Sequence, residues 1–88
     1  MKSISITLSG RVQGVGFRYF VLETARHFNI KGFVRNMPGG EVYIEAEGKD
    51  PDLQLFVHKC RQGPPRANVD QMCVNECPSS GYADFLIR

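Results

Sequence analysis

The chain has 88 residues, 42% of them apolar, and a net charge of +2 at neutral pH. That length is expected to make one domain, residues 1–88, burying about 60–65% of its unfolded surface, and no apolar run approaches the ~20 residues of a membrane-spanning helix. Acids and bases are mixed along the chain, which gives no nucleic-acid signal. The start alternates after a single lysine rather than forming a signal peptide, so a cytoplasmic protein is expected.

The first predicted strand covers about residues 2–9, where Ile4, Ile6 and Leu8 alternate with Ser3, Ser5, Thr7 and Ser9. One face is packed and the other is wet or lightly covered. A glycine-rich stretch follows, with Gly10, Gly14 and Gly16, and then a helix over about 18–29 whose stripe is Phe17, Val21, Ala25 and Phe28, widened by Phe20. Asn29 and Gly32 fall where that helix would end. His27 lies beside the stripe near the C-terminal end, as a surface residue that suits the helix dipole.

Strand, glycine loop and helix in that order have a physical use. Glycines let successive backbone N–H groups converge on one point, and a helix start adds further unpaired donors. Arg18 adds a planar cationic fork suited to phosphate or carboxylate oxygens. The pattern is neither Gly-x-Gly-x-x-Gly, since Tyr19 stands at the third position, nor a Gly-x-x-x-x-Gly-Lys-Ser/Thr loop. An oxyanion-binding loop and a plain tight connection both fit these residues.

Residues 31–37 read as the second strand, and Met37-Pro38-Gly39-Gly40 as a turn. The third strand, about 41–47, buries Val42, Ile44 and Ala46. Its other face carries Glu41, Tyr43, Glu45 and Glu47, read as a solvated sheet face rather than as acid–base or metal groups. Asp50-Pro51 opens a second helix, with Asp50 as N-cap and Pro51 as first helical residue. Leu53, Phe56, Val57 and Cys60 form its core stripe, and Gly63-Pro64-Pro65 stops it.

The fourth strand, about 67–76, slips its alternation between Val69 and Met72, so a bulge is expected near Asp70-Gln71. If Met72 and Val74 face in, Cys73 and Cys77 face out together. Residues 78–81 make a loop and 82–88 a last strand, with Phe85 and Ile87 facing the core. An odd count of cysteines, Cys60, Cys73 and Cys77, argues for reduced thiols. Joined with His58 they do not form paired Cys-x-x-Cys ligand spacings, so no metal is expected. The order β-α-β-β-α-β-β predicts an α+β fold, a ferredoxin-like α/β sandwich: two helices on one face of an antiparallel four- to five-stranded sheet.

Gly10-Arg11-Val12-Gln13-Gly14-Val15-Gly16-Phe17-Arg18 resembles the first signature of the acylphosphatase family. Gly32-Phe33-Val34-Arg35-Asn36, followed by Gly40, Val42 and Gly48, resembles the second at the family's spacing, and the likeness covers essentially the whole chain. The resemblance implies the same fold with the first strand central in the sheet. It implies a metal-independent hydrolase, without cofactor, that cleaves the carboxyl-phosphate bond of small acyl phosphates. On this likeness Arg18 binds the phosphoryl group and Asn36 holds the attacking water. Backbone N–H groups of Val12, Gln13, Gly14, Val15, Gly16 and Phe17 cradle the phosphoryl oxygens.

Arg11 is expected to face solvent, Arg35 to emerge on the sheet face opposite Asn36, and Arg66 to sit in a loop. Phe17 is expected in the core, Tyr19 in either environment, and Gln13 as a residue that shapes the loop. An RNA-recognition domain would need exposed aromatics on its inner strands, whereas here the first strand shows Ser and Thr, and Tyr43 stands among glutamates. An anion-binding relative without turnover is the other alternative. No nucleic-acid partner, no membrane and a monomer are expected.

Overall fold

A computed structural model describes all of residues 1–88. The elements in chain order are β1 (Lys2–Arg11), α1 (Phe17–His27), β2 (Lys31–Asn36), β3 (Val42–Gly48), α2 (Asp50–Gln62), β4 (Asn68–Glu76) and β5 (Phe85–Ile87). They make a five-stranded sheet in the order β4-β1-β3-β2-β5 with both helices on one face. The fold is the ferredoxin-like α+β sandwich that the pattern of elements predicts.

Ile4, Ile6 and Leu8 of β1, Val34 of β2, and Val42, Ile44 and Ala46 of β3 point to the helices and are buried. They meet Phe17, Val21 and Ala25 from α1 and Leu53, Phe56 and Cys60 from α2. Cys60 therefore acts as a small apolar residue, and burial pushes its thiol pKa up. α1 ends on a left-handed residue: Asn29 has φ 58, and the N–H groups of Asn29 and Ile30 return to the carbonyls of Arg26 and Ala25 at 3.3 and 2.8 Å. That is a Schellman end with asparagine in glycine's usual place. α2 starts one residue earlier than a cap at Asp50 would require. Lys49 is the cap, while Asp50 and Asp52 lie in the first turn, where they favour the helix dipole.

The expected bulge is present. Ser9 pairs with Gln71 and Gly10 with Val69, leaving Asp70 as the extra residue of β4. Gly10 has φ 120, and a side chain there would meet the Asn68 carbonyl oxygen. β1 is central in the sheet as expected, paired on both sides, with β4 and β3. Two expectations about the sheet need correction. The last pairing, β2 with β5, is parallel, so the sheet is mixed rather than wholly antiparallel. The second concerns the glutamates of β3.

Residues 77–84 run from β4 at one edge to β5 at the other, across the sheet face away from the helices. That crossing is about 19 Å at the usual strand spacing, within the ~26 Å reach of the segment. Glu47 is the anchor beneath it and is only 4% exposed. Its carboxylate accepts hydrogen bonds from Ser3 Oγ at 2.9 Å, Ser79 Oγ at 3.1 Å, and the backbone N–H groups of Ser80, Gly81 and Tyr82. Glu45 accepts from Tyr43 Oη at 2.7 Å and Tyr82 Oη at 2.6 Å. These carboxylates are thus structural acceptors rather than a solvated row.

Candidate active site

At the opposite end of the sheet from that crossing segment, β1 ends, α1 begins and β2 ends. Val12, Gly14, Gly16, Phe17, Arg18, Tyr19 and Asn36 line one cleft there, with a volume of about 80 Å³. Both residues singled out for chemistry, Arg18 and Asn36, are brought to it although 18 positions separate them in sequence.

The backbone of the loop is set by its glycines. Gly14 has φ 74 and Gly16 φ 80, and a Cβ at either would touch nothing within 4 Å. Glycine is therefore demanded by the left-handed conformation, not by lack of room. Gly16 is the N-cap of α1 and offers no side-chain cap. As a result, none of the N–H groups from Gln13 through Tyr19 donates to another group of the protein; the first paired amide of the helix is Phe20, to Gly16 O at 3.1 Å. A run of unpaired donors at a helix start is a ready anion site.

Val12 departs from the expectation for it. Its N–H already donates to Gly10 O at 3.1 Å, so it lines the cleft as a buried apolar wall rather than as a free donor. Phe17 contributes likewise through its buried ring, packed edge-on against Phe20 with centroids 6.1 Å apart. Val15 is part-buried against the core.

Gln13 links the two signatures. Its Nε2 donates to Met37 O at 2.9 Å and Glu41 O at 2.8 Å. Both carbonyls belong to the β2–β3 turn, which is closed by Met37 N–H to Glu41 O at 2.8 Å. The glycine loop is thereby tied to the turn that follows Asn36.

Arg18 is exposed and has no carboxylate partner; the one ion pair of the molecule is Lys2–Asp50, at 3.5 Å. Asn36 is half-buried, and its carboxamide makes no hydrogen bond to the protein. Its neighbour Arg35 turns to the other face, as expected, and lies 5.6 Å from the Tyr43 ring. Arg11 and Arg66 are exposed. The cleft holds a cation, polar donors and apolar walls, but no carboxylate, histidine or thiol. His58, Cys60, Cys73 and Cys77 are not brought together, and no three His, Cys, Asp or Glu side chains gather as metal ligands elsewhere.

Larger clefts lie elsewhere. One of about 360 Å³ lies between the helices, beside Phe20, Glu23, His27 and Lys59, and another of about 460 Å³ lies at Thr7, Ser9, Glu41 and Cys73. Neither combines free backbone donors with an unpaired cation.

Known proteins share this chain's sequence pattern and fold. The acylphosphatase family model matches residues 4–87. An acylphosphatase of Thermotoga petrophila is 44% identical over 88 residues, covering all of this chain and 98% of the relative. The crystal structure of acylphosphatase from Bacillus subtilis superposes with a TM-score of 0.97 at 42% identity, over 100% of this chain and 99% of that one. A structure of full-length HypF in a phosphate- and nucleotide-bound form matches 99% of this chain with a TM-score of 0.89 at 36% identity, but only 12% of its own length.

Proposed function

This chain belongs to the acylphosphatase family, enzymes that hydrolyse acyl phosphates, and from that premise we propose how its own residues carry out the reaction. The substrate's phosphoryl oxygens lie against the free amides between Gln13 and Arg18 and against the Arg18 guanidinium. Asn36 holds a water beside the phosphorus. Water oxygen bonds to phosphorus, the bond from phosphorus to the acyl oxygen breaks, and the carboxylate departs. The water's proton passes to a phosphoryl oxygen, giving carboxylate and inorganic phosphate.

The chemistry asks for little more. A carboxylate is a weak base, with a pKa near 4 for its acid, so it leaves without a general acid. The transition state of phosphoryl transfer is loose and needs little nucleophilic push. Positioning and charge stabilisation then do the catalysis. An amide side chain that orients water suits this, and a cleft without a carboxylate or imidazole base is consistent with it.

The observation that carries the proposal is the meeting, in one cleft, of an unpaired arginine, unpaired amides and an unpartnered carboxamide. Phosphate release from benzoyl phosphate tests it. Arg18→Gln and Asn36→Ala should each lower kcat by about 100-fold or more while circular dichroism shows the fold retained. Near-normal turnover in Asn36→Ala would mean the water is held elsewhere. A wild-type protein that binds inorganic phosphate but releases none from benzoyl phosphate would instead be an anion binder. Because the positive charge comes from Arg18 and the backbone, turnover should persist in excess chelator; loss restored by Mg²⁺ would refute this assignment.

A further inference from the structure

We propose that the Tyr19 side chain selects the acyl group, favouring flat aromatic acyl phosphates over small aliphatic ones. This rests on acyl phosphate hydrolysis at the cleft just described. The cleft measures about 80 Å³, and on that measure a water needs about 10–15 Å³, so the cleft takes on the order of five to eight water-sized atoms. A phosphoryl group with its attacking water fills such a space, so the acyl group must lie outside, on the rim.

The rim offers only one apolar surface of any size. Val12 and Phe17 are 1% and 2% exposed and turned into the core. Gly14 and Gly16 have no side chains, and Arg18 and Asn36 are polar. Tyr19 is 70% exposed and follows Arg18 in the first turn of α1. Its ring packs against no other aromatic ring, and its hydroxyl takes part in no hydrogen bond. The neighbouring aromatics are already committed, Phe17 to Phe20 within the helix face.

An unpartnered ring beside an anion cleft can stack on a flat acyl group leaving that cleft. Such contact forms with substrate and transition state alike, so it appears in KM rather than in kcat. Acetyl phosphate presents only a methyl group to the ring and gains little.

The test compares benzoyl phosphate with acetyl phosphate for wild type, Tyr19→Ala and Tyr19→Phe. In Tyr19→Ala the ratio of kcat/KM for benzoyl over acetyl phosphate should fall about three- to tenfold, chiefly through a higher KM for benzoyl phosphate. Tyr19→Phe, which keeps the ring, should keep the ratio. A ratio unchanged in Tyr19→Ala, with both substrates slowed equally or not at all, would overturn the proposal while leaving the hydrolase intact. A wild type that turns over neither substrate would overturn the parent function instead, and this proposal with it.

Discussion

Gln13 shows how much one side chain can organise. Two hydrogen bonds to Met37 O and Glu41 O fix the glycine loop to the turn behind Asn36, so the parts proposed to hold phosphoryl group and water share one brace. Gln13→Leu keeps the bulk and removes both donors. Both carbonyls keep a backbone donor, Gly40 N–H on Met37 O and Met37 N–H on Glu41 O, so the cost is that of the two lost hydrogen bonds, about 0.5–1.5 kcal/mol each; the midpoint of urea unfolding should drop and kcat/KM should fall about tenfold or more. Unchanged kinetics would show that the loop holds its shape alone. Gly16→Ala probes the same loop differently. At φ 80 an alanine is strained by about 1–2 kcal/mol although nothing crowds its Cβ, so phosphate affinity, measured by calorimetry, should weaken through displaced amides. The two glycines and Arg18 were legible in sequence because loop and helix start are local. The partners of Gln13 were not, since they are backbone carbonyls more than 20 positions away that carry no side-chain signature.

At the scale of an element, the segment 77–84 and its anchor explain where alternation misleads. Alternation puts Glu47 on the correct face, but it cannot say what later chain covers that face. The side-chain signals were present as Ser3 and Ser79, yet only the crossing from β4 to β5 makes them partners. Burial raises the Glu47 pKa, but hydrogen bonds from Ser80 N–H, Ser3, Tyr82 N–H and Ser79 together outweigh it, and the value is lowered from the ordinary 4.5 to about 2. A folded value below the unfolded one gives stability that is complete above about 4.5 and is lost as the pH falls toward 2. Wild type should therefore lose Tm over that window more steeply than Glu47→Gln, which should already be less stable at pH 7. Glu47 lies at the end of the sheet away from Arg18 and Asn36, so Glu47→Gln should keep normal kcat at neutral pH. Parallel Tm-against-pH curves for the two proteins would remove the anchoring role.

At the scale of the whole molecule, the sheet is mixed because of where that segment crosses. β4 ends opposite Ile4, at the end of the sheet where β2 begins. Chain that crosses there must enter beside the start of β2 and run parallel to it, with Gly32, Phe33 and Val34 paired to Phe85, Leu86 and Ile87. Local pattern finds such a strand but not its direction, which depends on the route of the preceding loop. The parallel pair matters because β2 carries Asn36 at its far end. Phe85 fixes the pair: it is fully buried, and its ring meets Phe56 of α2 edge-on at 6.1 Å. Phe85→Ala should cost about 3–5 kcal/mol, a large share of the stability of so small a fold. If β5 holds β2 in place, hydrogen exchange at Gly32–Val34 should accelerate in Phe85→Ala more than at Ile4–Leu8 of β1, whose partners β3 and β4 are untouched. kcat should fall with it in the fraction that stays folded, since Asn36 loses a fixed position. Uniform acceleration across both strands would mean that β5 adds only global stability and does not steady the asparagine.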